Sequence, residues 1–142
     1  MFIGEYQHSL DDKYRVTVPS KYREQLGEKF VLTKGLDGCL FIYPLNEWTI
    51  FEQKLKSLPL TNINARKFVR FFLSGAIECS PDKQGRILIP NSLRVYSEIE
   101  KDIVFIGMSN RIEVWSQMKW DSYNNEALDM ELLASQMEEL GI

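Results

Sequence analysis

The sequence predicts an α+β fold in which two related halves share one core. The main observation is an internal repeat, in which residues 11–19 match residues 82–90 at an offset of 71 positions. The Asp, Arg and Pro of the two segments are identical, and the positions between Arg and Pro are apolar or Thr. Self-similarity of this kind marks a repeated structural unit.

The match continues along the chain once one or two inserted residues are allowed. Arg23 aligns with Arg94, residues 40–43 align with residues 112–115, and Trp48 aligns with Trp120. We therefore divide the chain into a first unit over residues 1–71 and a second unit over residues 72–142.

Each unit is too short to be stable alone. About seventy residues rarely bury enough apolar surface without a disulfide or a metal. Cys39 and Cys79 form no C-x-x-C pair and predict small buried residues. A single histidine, His8, removes most metal sites, so we expect no metal or cofactor. The two units must then share a core, and we expect pseudo-twofold packing.

The order of elements in each unit follows from turn and strand signals. In the first unit they are an extended stretch (6–10), a polar turn (11–14), a strand (16–18), a short helix and a hairpin (30–33 and 39–43). In the second unit the equivalents are an extended stretch (76–79), a turn (81–85), a strand (87–89), a short helix and a hairpin (103–106 and 112–115). Pro19 and Pro90 suit the first helical position, and Gly27 suits the end of the first short helix.

Each unit ends in helices with aromatic stripes. The predicted caps are Asn46 for a helix with Trp48, Phe51, Leu55 and Leu58, and Asn62 or Asn64 for a helix through Phe72. In the second unit Ser116 is the predicted cap of a helix with Trp120 and Tyr123, and an acidic last helix is predicted over 126–140. The aromatic side chains fit an internal core and a self-association surface equally well.

Composition excludes several classes of protein. Of 142 residues 44% are hydrophobic and 26% are charged, which is ordinary for a folded protein and not for a disordered one. No apolar run is long enough to span a bilayer, and the N-terminal residues lack a signal peptide pattern. We therefore expect a cytoplasmic protein with no membrane association.

Charge is distributed unevenly along the chain. The formal net charge is −3, but residues 1–71 carry +3 and residues 72–142 carry −6. After Lys119 there are six acidic residues and no basic one. A mildly acidic protein can still bind DNA if its cations cluster on one face, provided that the acidic end lies elsewhere.

The repeated Asp-x-x-x-Arg turns are the candidate functional site. Arginine is suited to bidentate contact with guanine and lysine to phosphate, and a two-stranded ribbon fits the major groove. The predicted base-reading residues are Arg15 and Arg86, with Lys13 and Lys83 as DNA contacts beside them, and the candidate phosphate contacts are Lys21, Arg23 and Arg94. Asp11 and Asp82 are predicted to hold the arginine or to cap the turn. The alternative is that each Asp–Arg pair simply clips a hairpin together.

No enzyme motif is present. His8 lies close to Asp11 and Asp12, but a single strand histidine is far more often structural than catalytic, and no phosphate-binding or dinucleotide-binding fingerprint occurs. We therefore predict that the chain is not an enzyme.

The duplicated Asp-x-x-x-Arg motif, followed by a short β run and Pro, resembles the MraZ family of bacterial transcription regulators. Residues 2–11 and the Trp that closes each unit resemble the family as well, so that the resemblance covers the whole chain. It implies a swapped-hairpin, AbrB-like β-barrel with flanking helices. It also implies that Arg15 and Arg86 contact DNA, with Lys13 and Lys83 beside them.

The resemblance further implies a ring-shaped homo-oligomer that binds short direct repeats of double-stranded DNA. These repeats would lie in the promoter of the chain's own division and cell-wall gene cluster, which implies a nucleoid-associated protein. Tyr14 departs from the family pattern, because Gly is usual there and stands at Gly85 in the second unit. A positive φ is unfavourable for Tyr, so we expect the first turn to differ in shape and Arg15 and Arg86 not to be equivalent.

Two other functions remain open. One is a ring-forming interaction protein that acts through a protein partner, for which the acidic last helix offers a surface. The other is an antitoxin-like AbrB-fold regulator, although such proteins usually carry one motif copy and a disordered tail.

Overall fold

The computed structural model describes residues 1–126 and 129–142. The elements that begin in the first unit are β1 (Glu5–Ser9), β2 (Arg15–Thr17), α1 (Ser20–Leu26), β3 (Phe30–Lys34), β4 (Leu40–Pro44), α2 (Leu45–Lys56) and α3 (Ile63–Gly75), of which α3 continues past residue 71. Those of the second unit are β5 (Ile77–Cys79), β6 (Arg86–Leu88), α4 (Asn91–Ser97), β7 (Asp102–Gly107), β8 (Ile112–Ser116), α5 (Gln117–Asn125) and α6 (Met130–Met137), followed by a 3₁₀ turn (Glu138–Leu140). The α+β class and the repeated order of elements are confirmed.

Four of the six strand pairings among the described residues join the two units, and only β3–β4 and β7–β8 lie within one unit. One sheet has six strands in the order β1-β7-β8-β4-β3-β5, and β2 pairs with β6 in a separate antiparallel ribbon. When each strand is replaced by its counterpart in the other unit (β1 by β5, β3 by β7 and β4 by β8), the same strand order results, read from the opposite edge of the sheet. This symmetry indicates a pseudo-twofold axis between β4 and β8. The shared core is therefore confirmed. The hydrogen-bonded strands form a sheet and a ribbon rather than the closed barrel that we expected.

Both faces of the six-stranded sheet are covered because its central strands alternate apolar side chains between two clusters. One cluster, which we call the ribbon core, lies between the sheet and the β2–β6 ribbon and includes Val16, Ile42, Ile87, Ile103 and Phe105. The other, the aromatic core, lies under the long helices and includes Phe41, Tyr43, Phe72, Val104 and Trp115. Trp48, Phe51 and Trp120 pack against the aromatic core, so these aromatic side chains are largely internal.

Three predicted helix ends are confirmed. The Asn62 side chain accepts a hydrogen bond from the Ala65 amide, and the Ser116 hydroxyl accepts one from the Lys119 amide. Gly27 ends α1 with φ of 74°. The acidic last helix predicted over 126–140 is represented by α6, and positions 127 and 128 of that prediction lie outside the described residues.

Other predicted helix starts are wrong by one or two residues. Asn46 is no cap, because α2 already begins at Leu45 directly after Pro44, without a side-chain cap. Pro19 and Pro90 stand at the cap position rather than at the first helical position. Proline suits both positions, since neither amide has a partner within the helix.

Both cysteines are buried and free, as predicted. Burial raises the pKa of the Cys39 thiol and raises that of Cys79 to about 11, which keeps both thiols protonated at neutral pH. Across residues 1–126 and 129–142, no helix is long and apolar enough to cross a membrane.

Candidate nucleic-acid interface

The first Asp-x-x-x-Arg turn is organised by the Asp11 carboxylate. Its Oδ1 accepts hydrogen bonds from the amides of Lys13 and Arg15, both at 2.9 Å. Its Oδ2 accepts one from Arg15 Nε, also at 2.9 Å. The Asp11 amide donates to the Arg15 carbonyl, and the Tyr14 amide donates to the Asp11 carbonyl. One carboxylate therefore both caps the turn and orients the arginine.

The second turn repeats this pattern. Asp82 Oδ1 accepts from the amides of Gln84 and Arg86 at 2.9 Å, and Oδ2 accepts from Arg86 Nε at 2.8 Å. The Asp82 amide donates to the Arg86 carbonyl, and the Gly85 amide donates to the Asp82 carbonyl. Both roles proposed for the aspartates, holding the arginine and capping the turn, occur together in each unit.

These contacts lower the pKa of both carboxyl groups. Backbone N–H donation, led by Arg15 for Asp11 and by Arg86 for Asp82, lowers the pKa of each carboxyl below its ordinary value of 3.8. Hydrogen bonds from the arginine side chains act in the same direction. Each carboxyl is therefore ionised at neutral pH and stays charged to a lower pH than an ordinary aspartate.

The lowered pKa values predict a specific acid sensitivity. Stability from a group whose pKa is lower in the folded state is present above the unfolded pKa and is lost as pH falls through the folded pKa. We expect the melting temperature to drop more steeply below pH 3.8 in the wild type than in Asp11→Asn/Asp82→Asn, where no carboxylate remains to protonate. Melting curves between pH 7 and pH 3 test this. Parallel curves would show that the two carboxylates do not couple folding to pH.

The β2–β6 ribbon places both arginines on one face. Arg15 lies opposite Leu88, Thr17 lies opposite Arg86, and Val16 lies opposite Ile87. Directly opposed residues share a face and alternate residues return to it, so Arg15, Thr17, Arg86 and Leu88 lie together. Val16 and Ile87, on the other face, are buried in the ribbon core. The ribbon is thus anchored on one side and open to solvent on the other.

The two turns form one charged network. Arg86 Nη1 lies 3.9 Å from Asp11 Oδ2, and the side chains of Arg15 and Arg86 are 30% and 28% exposed. Each aspartate accepts from the Nε of its arginine. In the part of the chain that the structure describes, neither arginine uses an Nη group in a hydrogen bond. The Nη edges therefore remain available to an outside acceptor such as guanine or phosphate.

Arg23 and Arg94 each contact one of the two turns. Arg23 Nε donates to the Val18 carbonyl at 2.8 Å, and Arg94 donates to the matching Ile89 carbonyl through Nη1. The Arg23 guanidinium lies against Gly85 of the second turn. Arg94 lies over the ring of Tyr14 in the first turn, 3.6 Å from its centroid. Both residues therefore contact a strand end of their own unit and the turn of the opposite unit, and their role as phosphate contacts stays a prediction.

The expected difference in shape between the two turns is wrong. Tyr14 has φ of 62° and Gly85 has φ of 77°, so both adopt the left-handed conformation. The stacked Arg94 guanidinium supplies a favourable contact that offsets the cost of this conformation for a tyrosine. Gly85 instead leaves room for Arg23, whose guanidinium would lie 2.6 Å from an added Cβ.

This packing predicts the effect of Gly85→Ala. The left-handed conformation costs an alanine about 1–2 kcal/mol, and Arg23 must also move and give up its bond to Val18. We expect the free energy of unfolding to fall by roughly 2–3 kcal/mol. In an Arg23→Ala background the same change should cost about 1–2 kcal/mol. Denaturant unfolding of the four proteins measures the coupling, and strictly additive losses would contradict the role given to Arg23.

The lysines near the turns are exposed. Lys13, Lys21 and Lys83 all lie at the surface, and among the described residues none of them forms an ion pair. A groove of about 540 Å³ runs beside the second turn and is lined by Lys29, Lys83 and Arg23 among others. The cations predicted around the turns are therefore accessible, with Lys13 and Lys83 within the turns themselves.

Two residues of this face were missed from the sequence. Thr17 is half-buried, and Leu88 is 53% exposed although it is a large apolar residue in a strand. A leucine and a threonine methyl on the same face as two arginines can contact a thymine methyl group. The alternation of Arg15-Val16-Thr17 and Arg86-Ile87-Leu88 is the signal that could have identified them.

His8, the remaining candidate from the sequence, has an aromatic packing contact. His8 packs against Phe105 with ring centroids 5.5 Å apart, and burial followed by the nearby charge of Arg23 lowers its pKa. No group of three or more His, Cys, Asp or Glu side chains within residues 1–126 and 129–142 could hold a metal ion.

The fold and the site define a duplicated α+β protein whose units exchange strands and present two clamped arginines on one ribbon. The family model "MraZ protein, putative antitoxin-like" matches residues 1–71 and again residues 72–140. The chain belongs to the MraZ family, which confirms the resemblance.

Curated relatives match over the full length of both chains. The proteins named Transcriptional regulator MraZ from Clostridium acetobutylicum and Clostridium tetani are 61% and 62% identical over 142 residues. The one from Thermoanaerobacter sp. is 57% identical over 143 residues. These names describe a class of transcription regulators, which is not an enzyme class, and they support that class for this chain.

Proposed function

We propose that this chain is a sequence-specific transcription regulator that reads double-stranded DNA through the β2–β6 ribbon and its two turns. The proposal rests on one observation, the position of the Arg15 and Arg86 guanidinium groups. Each is held at Nε by an aspartate on the solvent face of the ribbon, and no Nη group of either arginine makes a hydrogen bond within residues 1–126 and 129–142.

The chemistry of this face supports contact with bases. A fixed guanidinium loses less freedom on binding than a mobile one, and its two Nη groups match the O6 and N7 acceptors of guanine. Thr17 and Leu88 lie on the same face, each directly opposite one of the two arginines. A two-stranded ribbon has the width that the major groove admits.

The surrounding charges support contact with phosphate. Lys13 and Lys83 flank the arginines and are exposed. The acidic residues after Lys119 lie on other elements, α5 and α6 and the segments next to them, and not on the ribbon. The negative net charge therefore does not oppose a cationic ribbon meeting DNA.

We further propose that the chain acts as a ring-shaped homo-oligomer on short direct repeats in its own promoter, upstream of a division and cell-wall gene cluster. Several ribbons on one assembly would engage successive repeats and gain affinity through multivalency. Such a regulator would work in the cytoplasm, in association with the nucleoid.

Fluorescence anisotropy with the chain's own upstream region tests the proposal. We expect tighter binding to the native repeats than to a scrambled duplex of equal length and composition. We also expect that the binding constant falls steeply between 50 mM and 200 mM salt. Equal affinity for both duplexes would remove sequence-specific reading and would favour an interaction protein or an antitoxin-like regulator that acts through a protein partner.

A further inference from the structure

The last helix of the chain has an apolar face that the described part of its own fold covers only in part. α6 contains no fully buried residue. Met130 and Leu140 are 69% and 74% exposed, whereas Leu133 and Met137 are half-buried. Met130, Leu133, Met137 and Leu140 recur at spacings of three and four residues, which places them on one stripe. An exposed stripe of this kind is the signature of a helix that docks on another surface.

The equivalent helix of the first unit, α3, has a buried contact with the core that α6 lacks. α3 follows α2 as α6 follows α5, and both helices begin at a side-chain cap, Asn62 and Asp129. α3 buries Phe72 in the aromatic core, whereas α6 buries no residue. α6 is thus a formed, capped helix without the packing that its counterpart has.

A matching surface lies between α2 and α3. This surface, the α2–α3 groove, has a volume of about 390 Å³ and is lined by Leu55, Leu58 and Val69 and by Lys56, Arg66 and Arg70 among others. Its lining is otherwise apolar and includes no acidic residue. Lys56 lies 3.6 Å from Glu52 outside the lining, and Arg66 donates to the Leu60 carbonyl.

The charges of the two surfaces are complementary. Residues 129–142 carry four acidic side chains and no basic one, whereas the groove carries three basic side chains. Glu131 and Glu138 are seven residues apart, so they lie along one side of the apolar stripe. Arg66 and Arg70 are four residues apart on α3 and lie along one edge of the groove.

We propose that α6 of one copy docks in the α2–α3 groove of a second copy. The apolar stripe fills the groove, while Glu131 and Glu138 face Arg66 and Arg70. The two surfaces are different patches of the same chain, so the contact is head-to-tail, and repeated head-to-tail contacts either close into a ring or extend as a filament.

This contact would supply the interface for the ring that we propose above. It involves a surface other than the ribbon and is tested without DNA. Its failure would therefore leave DNA reading by Arg15 and Arg86 untouched.

Charge reversal in the full-length chain tests the contact. One variant carries Arg66→Glu/Arg70→Glu and the other carries Glu131→Lys/Glu138→Lys. Each alone places like charges at every interface, and we expect the mass from size-exclusion chromatography with light scattering to fall, with at least about a tenfold weaker association. An equimolar mixture should recover the wild-type mass, because each reversed helix then meets a reversed groove and each native helix a native groove.

A charge reversal elsewhere, Glu100→Lys/Lys101→Glu on an exposed loop, is the matched control and should leave the mass unchanged. Circular dichroism melting checks that every variant is folded. A monomeric wild type, variants that keep the wild-type mass, or a folded mixture that fails to reassemble would each overturn the proposal. Loss of assembly in the groove variant alone would overturn it too, since the groove would then hold a surface other than α6.

Discussion

Replacing Arg15 and Arg86 together by alanine is expected to weaken binding to the native repeats by at least about 30-fold while the protein stays folded. A bidentate arginine–guanine contact contributes about 1–3 kcal/mol of discrimination, and the double variant removes two of them from each chain. The loss should fall on the native duplex more than on a scrambled one, so that sequence preference disappears along with affinity.

The turns themselves should survive this change. In each unit Asp Oδ1 accepts from two backbone amides, and those bonds do not involve the arginine side chain. Val16 and Ile87 still anchor the ribbon in the ribbon core. Anisotropy titrations should therefore be run beside melting curves. A large loss of stability with unchanged affinity per folded molecule would mean that the Asp–Arg pairs are structural clips.

Replacing the two arginines by lysine distinguishes recognition of bases from electrostatic attraction to phosphate. Arg15→Lys/Arg86→Lys keeps the positive charge but loses the planar fork, so it should reduce sequence preference while the salt dependence of binding stays close to wild type. Lys13→Ala/Lys83→Ala is the complementary control. It should weaken binding to both duplexes alike and make the salt dependence shallower.

The hydrogen bonds of the two turns could be predicted from the sequence because they join residues close together in the chain. An aspartate at the start of a tight turn reaches the amides two and four residues ahead, and its partner arginine lies within the same five residues. The repeat identified both copies at once. Asn62 and Ser116 were identified for the same reason, since a cap bonds an amide three residues away.

Contacts between the two units could not be predicted from the sequence in the same way, because they join residues far apart in the chain. Arg94 stacks on Tyr14 from the other unit, and this contact allows a tyrosine at φ of 62° where only local preferences would have excluded it. Arg23 and Arg94 look like free cations in the sequence, but each of them supports the turn of the opposite unit. Whether the strands close into a barrel depends on pairings between units, which turn and strand signals do not contain.

Phe72→Ala is expected to destabilise the fold more than any change in the turns. Phe72 is 1% exposed and lies at the centre of the aromatic core, with ring centroids 4.9 Å to 5.1 Å from those of Phe68, Phe71 and Phe51. Truncating a buried phenylalanine leaves a cavity as well as removing buried surface, and typically costs 3–5 kcal/mol. We expect a loss of about that size in denaturant unfolding.

Phe68→Ala is the matched control, because Phe68 is on the same helix but is 41% exposed, and it should cost only about 1 kcal/mol. The ribbon packs on the ribbon core and not on the aromatic core, so DNA affinity per folded molecule should be unchanged in Phe72→Ala. Equal losses for the two variants would mean that the aromatic core relaxes around the cavity. Reduced affinity in a fully folded Phe72→Ala protein would show that the two cores are coupled through the sheet they share.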